Sequence, residues 1–399
     1  MNRLSLLLLS LLGSVYAFAQ LNGDGYYRVK NVEQGRYIGI IDDKTNNENI
    51  AETTTPDLGA LRTVFGFERV VSDPSTILYM RKVGDGWDLR SQGASSYAIV
   101  GRTLLIQETS KGYLAYAEDR GIRLYVADSP LSVWSEGDDL IYGKVVTADS
   151  KDGSANTRLW NILPVNSTGN NYLGITPDIE VDGAYYKSFY AAFPFTFYSS
   201  GPMAYYISMV DEKKSAAVYQ EVSGGVPEGM PVFIKCTSND PSMNRINVGA
   251  GVATTKPKDN QMTGVYFCNP AAETDLHRNV VKFNPSTMRV LGKSADGRLA
   301  FIKPAGLQYI PANTTYITVS PNAPSELYVM SEEEYKAIPE GIKGDVNGDG
   351  EVNVGDLVSV SNFMAGDTTV SKEKADVNGD GEVNIGDLVT ISNIMAGNE

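Results

Sequence analysis

The sequence predicts a mainly β protein with a small α-helical unit at its C-terminal end. Between residues 20 and 343, Tyr, Gly, Thr and Val are frequent, turn-forming residues recur about every ten positions, and no long helical period is present. After residue 344, two short segments carry apolar residues at helical spacing instead. A chain of 399 residues is long enough for two or three domains.

The first 19 residues have the composition of a secretory leader. Arg3 gives a basic start, a leucine-rich apolar run follows, and Ala17 and Ala19 stand at the positions that signal peptidase reads. The run is shorter than the roughly 20 apolar residues that a membrane-spanning helix needs, and no later segment is apolar enough to cross a bilayer. We expect cleavage before Gln20 and a secreted chain, extracellular or at the cell surface.

The net charge of the chain narrows the classes of partner that it could bind. The net charge is −14, and residues 344–399 hold 11 acidic and 2 basic residues, so the C-terminal end is the most acidic part. An acidic chain without a basic patch repels phosphates, which argues against nucleic acid as a partner.

The two cysteines, Cys236 and Cys268, could form a disulfide in an exported protein, or each could be a buried free thiol.

A close internal repeat occupies the C-terminal end. Residues 345–366 and 376–397 lie 31 positions apart and agree at 18 of 22 positions. Each copy opens with a loop of the EF-hand kind, in which side-chain oxygens fall at positions 1, 3, 5, 9 and 12 and position 7 offers its backbone carbonyl. The predicted ligand residues are Asp345, Asn347, Asp349, Glu351, Asn353 and Asp356 in the first loop, and Asp376, Asn378, Asp380, Glu382, Asn384 and Asp387 in the second.

The loop chemistry predicts two calcium ions. Gly350 and Gly381 stand at position 6, where the chain must turn sharply around a cation. Calcium takes six to eight oxygen ligands in a flexible geometry, whereas magnesium demands a tighter octahedron. Asp replaces the usual Glu at position 12 of both loops, so closure of the site needs a closer approach of the following helix. Each helix is predicted from one apolar stripe: Leu357, Val360, Phe363 and Met364, then Leu388, Ile391, Ile394 and Met395.

A calcium loop followed by one helix, repeated twice, resembles the type I dockerin domain of cellulosome-type systems. The resemblance implies two antiparallel helices with a calcium ion at each end, a cohesin-like partner module, and a context of extracellular polysaccharide breakdown. The best-known dockerins select their partner at loop positions 10 and 11, often with Ser-Thr. Here these positions hold Val354-Gly355 and Ile385-Gly386. The alternative is a calcium-stabilised terminal domain without a cohesin partner.

The first part of the body, residues 20–166, shows three hairpin patterns. They begin at Tyr26, Tyr79 and Tyr113, and the segment closes with a strand at Trp160. Three hairpins in this length resemble a ricin-type β-trefoil. The Gln-x-Trp signature of the sugar-binding members is absent, so carbohydrate binding is not carried over. We interpret Tyr37, Trp87 and Trp160 as core residues rather than sugar platforms.

The second part, residues 175–335, is predicted to be a β-sandwich-like domain. It starts with an aromatic run in which Tyr185, Phe189, Phe193, Phe195 and Phe197 share one face, predicted to point inward. The opposite face holds Tyr186, Tyr190 and Tyr198, which we interpret as surface tyrosines with sugar stacking as the alternative. Residues 226–234 parallel residues 310–318, and this internal repeat suggests two related halves packed as a sandwich. The expected segments are residues 1–19 (leader), 20–166, 175–335 and 344–399.

Catalytic motifs are not recognisable in the sequence. His277 is the only histidine, which excludes a zinc site built from several histidines, and no nucleophile elbow is visible. Glycoside hydrolysis needs only two carboxylates, and no motif singles out a pair. We therefore interpret the chain as a secreted non-catalytic binding or adaptor protein, tethered by the dockerin-like module, with carbohydrate as a candidate ligand. The alternatives are a glycoside hydrolase of unrecognised family and a purely structural surface protein.

Overall fold

The computed structural model describes residues 21–32, 35, 37–40, 61–64, 70–94, 103–117, 122–126, 143–148, 159–251, 255–265, 281–338 and 341–398. The predicted leader, Cys268 and His277 lie outside these residues. The chain divides into two compact units, residues 1–332 and 333–399. The first is built from strands and the second from helices and loops, so the prediction of a mainly β chain with a C-terminal helical unit is confirmed.

The described strands between residues 25 and 164, hereafter the first β-segment, form a ten-stranded curled sheet. Its strands are β1 (Gly25–Asn31), β2 (Tyr37–Ile40), β3 (Leu61–Val64), β4 (Leu78–Val83), β5 (Gly86–Ser91), β6 (Leu105–Thr109), β7 (Gly112–Ala117), β8 (Ile122–Val126), β9 (Gly143–Ala148) and β10 (Trp160–Pro164). The three predicted hairpins are present as β1–β2, β4–β5 and β7–β8. Because β10 pairs with both β1 and β7, the strands between them close into a ring.

The core of the first β-segment contains the aromatic residues predicted to be internal. Tyr37, Trp87 and Trp160 are all buried. Arg28 is also fully buried, and it donates hydrogen bonds to the hydroxyl of Thr76 (3.1 Å) and to the carbonyl oxygens of Val70 (2.8 Å) and Tyr172 (2.7 Å). A buried charged group is stabilised when its donors are satisfied in this way. This side chain therefore ties β1 to the segment that follows β10.

The described strands between residues 173 and 330, hereafter the second β-segment, form a three-stranded and a ten-stranded sheet. Its strands are β11 (Leu173–Gly174), β12 (Ile179–Val181), β13 (Ala184–Phe189), β14 (Phe195–Phe197), β15 (Met203–Asp211), β16 (Ala216–Glu221), β17 (Val232–Cys236), β18 (Arg245–Val248), β19 (Met262–Val265), β20 (Met288–Lys293), β21 (Leu299–Ile302), β22 (Thr314–Thr318) and β23 (Glu326–Met330). The small sheet has the order β11-β18-β14, and the large one runs β12-β13-β17-β15-β16-β23-β21-β20-β22-β19.

The large sheet contains the same four-strand arrangement twice. One group has the order β13-β17-β15-β16, and the other has the order β19-β22-β20-β21. In each group a hairpin (β15–β16 or β20–β21) pairs with a later strand, which in turn pairs with the first strand of the group. The turns before β17 and β22 each hold a residue with left-handed backbone, Gly229 (φ +62°) and Asn313 (φ +57°). The repeat read from the sequence at residues 226–234 and 310–318 is therefore a duplication of strand pairing.

The inward face of the aromatic run packs as its alternation predicts. Phe189, Phe193 and Phe195 are buried, and their cluster includes Ile77 of the first β-segment. On the opposite face, Tyr198 is exposed as predicted, but Tyr186 packs against the core cluster of Ile207 and Phe233, because β13 has a core on both of its faces. Gly93 lies so close to the second β-segment that a Cβ on it would be 1.5 Å from the Ala192 carbonyl oxygen. The two β-segments therefore share a core, and the proposed domain division near residue 170 stays a prediction.

Cys236 is a free, buried thiol on β17. Burial raises the pKa of this thiol to about 12, because the apolar surroundings disfavour the thiolate. The raised pKa makes Cys236 a poor nucleophile, consistent with the packing role that a buried free thiol has.

The second unit contains four short helices: α1 (Glu332–Ala337, whose first residue still belongs to the first unit), α2 (Val354–Met364), α3 (Lys372–Ala375) and α4 (Ile385–Met395). Its core is formed by Val346, Val360, Ala375, Val377 and Ile391. Most of the predicted helix stripe packs on this core, but Met364 and Met395 are exposed, since each stands in the last turn, where the stripe has passed the partner helix. In the described part of the chain, no helix is both long and apolar enough to cross a membrane.

Candidate metal centre

Asp345 organises the first loop through both of its carboxylate oxygens. Oδ1 accepts hydrogen bonds from the backbone N–H groups of Gly348 (2.8 Å) and Asp349 (3.1 Å), and Oδ2 accepts one from Gly350 (2.9 Å). The chain can curl around this carboxylate because Gly348 (φ +79°) and Gly350 (φ +88°) have left-handed backbone. The loop residues therefore fold around the oxygen atoms of position 1.

Asp349 is exposed at position 5, beside the amide of Asn347 at position 3. Asn347 Nδ2 donates to Asp349 Oδ2 (2.8 Å), and the Glu351 N–H donates to Asp349 Oδ1 (2.9 Å). These hydrogen bonds hold the pKa of Asp349 below its ordinary value, with the Asn347 bond as the largest cause. Asn347 Oδ1 in turn accepts from the Asp349 N–H (2.8 Å). Positions 3 and 5 thus present ionised or polar oxygens at the loop surface.

Asp356 closes the loop from the first turn of α2, and its side chain is fully buried. Its Oδ1 accepts from the N–H groups of Val346 (2.7 Å) and Asn347 (3.0 Å), and its Oδ2 accepts from the Asn353 N–H (2.8 Å). Asn353 caps the helix: its side chain accepts from the Gly355 N–H (2.7 Å), and it forms a reciprocal capping box with Asp356. The residue at position 12 therefore joins the start of the loop to the start of the helix.

The second loop repeats this network with residue numbers raised by 31. Asp376 accepts from the N–H groups of loop positions 4, 5 and 6, and Asp387 is fully buried and accepts from those of Asn378 and Asn384. Asn378 donates to Asp380 (2.9 Å). The Glu382 N–H donates to Asp380 as well (2.9 Å), and this bond is the first cause of the lowered pKa of Asp380.

The two loops differ at one hydrogen bond. The Val377 N–H donates to the Ala375 carbonyl oxygen (3.1 Å), whereas the equivalent Val346 N–H donates to Asp356. Apart from this bond, the oxygen atoms of the second loop have the same backbone partners as those of the first. The duplication therefore extends from the sequence to the geometry of the loops.

The donor set of each loop fits a hard cation. Every predicted side-chain ligand is a carboxylate or an amide oxygen, the atoms that calcium prefers. Among the described residues, no group of three or more His, Cys, Asp or Glu side chains is arranged as a metal site. The loop carboxylates accept hydrogen bonds from N–H groups of their own loop. A carboxylate oxygen that accepts one N–H hydrogen bond retains a second lone pair, which can bind a cation. The predicted ligand set also includes amide and backbone oxygens, which calcium accepts as well.

Glycine at loop position 11 has a steric cause that the sequence did not reveal. A Cβ on Gly355 would lie 2.8 Å from Asn347 Nδ2, and a Cβ on Gly386 would lie 2.8 Å from Asn378 Nδ2. The amide at position 3 therefore packs against the start of the helix. A larger residue at position 11 would displace this predicted ligand.

Each helix also exposes an apolar pair on the side away from the core. Val354 and Val358 of α2 are 62% and 52% exposed, and Ile385 and Val389 of α4 are 68% and 53% exposed. Residues four positions apart in a helix lie on one face, so each pair forms a continuous apolar patch. Val354 and Ile385 stand out in the sequence because they replace the usual Ser of loop position 10. Val358 and Val389 do not stand out, because they are apolar residues within a helix that also has an apolar core face.

Comparison with known proteins identifies the repeat. Residues 343–396 match the family model of the dockerin type I domain. Among solved structures, a lectin from Polyporus squamosus bound to a human-type influenza-binding epitope is 14% identical, covers 37% of this chain and 51% of its own, and has a TM-score of 0.25. A mosquitocidal holotoxin is 9% identical, covers 77% of this chain and 34% of its own, and has a TM-score of 0.26.

The chain spans about half the length of the lectin and about a third of that of the toxin. At these TM-scores, neither likeness supports a conclusion about the β-segments. No curated protein sequence matches the chain. The family match, together with the duplicated loop–helix geometry, does support a conclusion about the C-terminal unit. Type I dockerins bind calcium and cohesin modules, and residues 343–396 of this chain are a type I dockerin domain.

Proposed function

We propose that this chain is a secreted, non-catalytic binding or adaptor protein that a calcium-dependent dockerin holds in an extracellular, polysaccharide-degrading assembly. The observation that carries the proposal is the pair of loop–helix copies, which share a hydrogen-bond network and expose equivalent apolar pairs. The composition of residues 1–19 supports export. In this view the dockerin supplies attachment, and the β-segments contact a glycan or a surface partner.

Two calcium ions are proposed, one for each loop. The residues that would hold them are Asp345, Asn347, Asp349, Glu351, Asn353 and Asp356, and their equivalents Asp376, Asn378, Asp380, Glu382, Asn384 and Asp387. A bound calcium ion supplies two positive charges that offset the mutual repulsion of the loop carboxylates. The loops are prepared for this role because their backbone N–H groups already orient the carboxylates at positions 1, 5 and 12.

The proposed cohesin contact is the apolar pair on each helix. An exposed apolar pair gains free energy when a partner covers it. The hydroxyls of Ser361 and Ser392 bond to the carbonyl oxygens of Leu357 and Leu388, so they present little free polarity beside the apolar pairs. The favoured partner is therefore a cohesin-like module with an apolar contact surface rather than one selected by Ser-Thr.

The duplication predicts that the partner binds in either of two orientations. The two copies differ at 4 of 22 positions, all by small changes of similar polarity. Two such similar units present nearly the same surface after a half-turn. A partner that uses one apolar pair in one orientation would use the other pair in the second.

Calcium dependence is tested by calorimetric titration of the mature chain. We expect two bound calcium ions and a thermal transition of the C-terminal unit that moves to lower temperature when a chelator is added, because a ligand that binds only the folded state stabilises it. The transition of the β-segments should not move. A C-terminal unit that unfolds at the same temperature in calcium and in excess chelator would contradict the proposal.

Docking is tested by capture of partners from the source secretome, followed by affinity measurement on variants. Val354→Asp or Ile385→Asp alone should weaken binding by about three-fold or less, because the other copy still binds, whereas the double variant should weaken it by about 100-fold or more. Val83→Asp, at an exposed apolar residue of the first unit, is the matched control. Loss of binding in one single variant would show that the copies are not interchangeable, and no calcium-dependent capture at all would refute the adaptor role.

A further inference from the structure

A half-buried carboxylate lies where the two β-segments meet. Glu228 stands in the turn before β17, and its Oε1 is 3.3 Å from the position that a Cβ on Gly93 of the first β-segment would occupy. In the described part of the chain, the Glu228 carboxylate has no hydrogen-bond or ion-pair partner. Partly buried charged groups without partners are uncommon, because the loss of hydration is not compensated. Glu228 therefore has binding capacity that the protein itself does not use.

Tyrosines from both β-segments lie near the turn that holds Glu228. The Tyr190 hydroxyl is 3.4 Å from the position of a Cβ on Gly229, and the Tyr26 ring packs on Phe193 (centroids 6.0 Å apart), next to the Ala192 that Gly93 contacts. Tyr26 and Tyr79 come from β1 and β4, with ring centroids 5.1 Å apart, and Tyr190 follows β13. The charge of Glu228 reaches both Tyr26 and Tyr190: burial raises the pKa of Tyr26 to about 12 and also raises that of Tyr190, and in both cases Glu228 is the second cause. All three tyrosines are half-buried.

The backbone holds Tyr190 rigidly in this place. Its N–H donates to the Asn313 carbonyl oxygen (2.9 Å), and its own carbonyl oxygen accepts from Asn313 Nδ2 (3.0 Å). Its ring packs on Gly264, where a Cβ would lie 2.1 Å from the ring. The interpretation of Tyr190 as an ordinary surface tyrosine is therefore not supported, since the turn at Asn313 and strand β19 position it.

Lys256 places a positive charge at the same turn. Its Nζ donates to the Gly229 carbonyl oxygen (3.0 Å). The Lys256 ammonium and the Tyr190 hydroxyl both approach Gly229: a Cβ on this glycine would lie 3.1 Å from Lys256 Nζ and 3.4 Å from the Tyr190 hydroxyl. One carboxylate and one ammonium give the cluster no net charge, which favours a neutral ligand over an ion.

We propose that Tyr26, Tyr79, Tyr190, Glu228 and Lys256 form a binding site for neutral sugar residues, hereafter the Glu228 cluster. Tyrosine rings contact the C–H faces of a pyranose, and the carboxylate accepts hydrogen bonds from sugar hydroxyls. The Tyr26 and Tyr190 hydroxyls have no hydrogen-bond partner in the described residues and remain available to the ligand. The proposal rests on the proposed function, in which the β-segments bind a glycan or a surface partner, and it names the ligand class.

The test is calorimetric titration of the calcium-loaded mature chain with neutral β-1,4-linked hexasaccharides of glucose, xylose and mannose, and with a hexamer of galacturonic acid as the charged probe. We expect at least one neutral hexasaccharide to bind, and the acidic hexamer to bind more weakly. Glu228→Gln should raise the Kd about five-fold, since a charged acceptor is replaced by a neutral one. Tyr190→Phe should raise it by a similar factor, since it removes only the hydroxyl.

Both variants preserve side-chain size, and their thermal transitions should match that of the unaltered chain. Glu180→Gln, at an exposed glutamate on β12, is the matched control and should leave the Kd within about two-fold. The site is refuted if no neutral hexasaccharide binds, if the acidic hexamer binds best, or if Glu228→Gln and Tyr190→Phe bind as the unaltered chain does. Calcium-dependent capture of the dockerin's partner, measured on the same preparations, shows which proposal has failed. If sugar binding is absent while capture is intact, only the Glu228 cluster is refuted.

Discussion

The chain contains two internal duplications that preserve different properties. In the dockerin, the copies agree at 18 of 22 positions, and the loop hydrogen bonds described above recur with equivalent partners except that of the Val377 N–H. In the second β-segment, the strand groups β13-β17-β15-β16 and β19-β22-β20-β21 share their pairing order, while their sequences agree only faintly. A metal loop and a β-sheet thus place different demands on their residues.

The difference follows from how many positions have a specific task. In the loops, each oxygen accepts a defined N–H bond, and glycine is needed wherever the backbone is left-handed or an amide packs close, as at Gly350 and Gly355. In a sheet, any apolar residue of suitable size satisfies a buried position, and the backbone makes the pairing bonds. Left-handed turn positions recur in both halves of the sheet: Gly229 and Asn313 before β17 and β22, and Ser215 and Gly297 in the β15–β16 and β20–β21 hairpins.

The largest expected effect is at loop position 12. Asp356→Ala removes the acceptor of three backbone N–H bonds in a buried site, and we expect the C-terminal unit to lose about 3 kcal/mol of free energy of unfolding or more. Asp387→Ala should have a somewhat smaller effect, because Asp387 accepts two such bonds, from the N–H groups of Asn378 and Asn384. Denaturant unfolding of the mature chain, followed by circular dichroism at helical wavelengths, measures both.

The matched control for these variants is Asp367→Ala in the linker between the copies, whose carboxylate accepts a bond from the exposed Thr369 N–H. It should cost less than about 1 kcal/mol. If Asp356→Ala and Asp387→Ala differ by more than about 2 kcal/mol, the structural equivalence of the loops does not extend to their energetics.

An intermediate effect tests the β duplication. Gly229→Ala forces a Cβ into left-handed backbone, and we expect a loss of about 1 kcal/mol. Asn313→Gly keeps the backbone favourable but loses the bond to the Tyr190 carbonyl oxygen, which should also cost about 1 kcal/mol. Asn313→Ala combines both losses and should cost about 2 kcal/mol.

Unfolding of the first unit in denaturant gives these values, and Gly251→Ala is the control because a Cβ there meets no neighbour within 4 Å. If Asn313→Ala were no more costly than Asn313→Gly, the left-handed turn would not be a constraint common to the two halves.

The smallest expected effect distinguishes the two calcium loops. Lys374 Nζ lies 3.5 Å from the position of a Cβ on Gly348 in the first loop, and the copies differ in this neighbour. Its positive charge opposes cation binding, so Lys374→Met should tighten calcium binding at the first loop by about three-fold at low ionic strength. Lys372→Met on the same helix is the control. Calorimetry at low and high salt measures the change, and an effect that persists in 0.5 M salt (about 4 Å of screening length) would point to a cause other than charge.

Much of the C-terminal unit follows from local sequence, because its interactions are local. A calcium loop makes its bonds within twelve residues, and the helix start is specified by Asn353 and Asp356 of the same loop. The three hairpins of the first β-segment and the inward phenylalanines were predicted for the same reason, since turns and alternation are short-range signals.

The sequence by itself determined the loop–helix repeat, its oxygen donor set and the mainly β character of the body, since each depends on residues close together in the chain. Tertiary structure alone decided that the two β-segments share a core through Ile77 and Gly93, and that the Glu228 side chain lies against Gly93. Gly93 and Glu228 are 135 positions apart in the chain, and no short-range pattern reports such a contact. The physical reason is that packing between distant strands depends on the shape of both surfaces, whereas a turn or a metal loop depends on a dozen neighbouring residues.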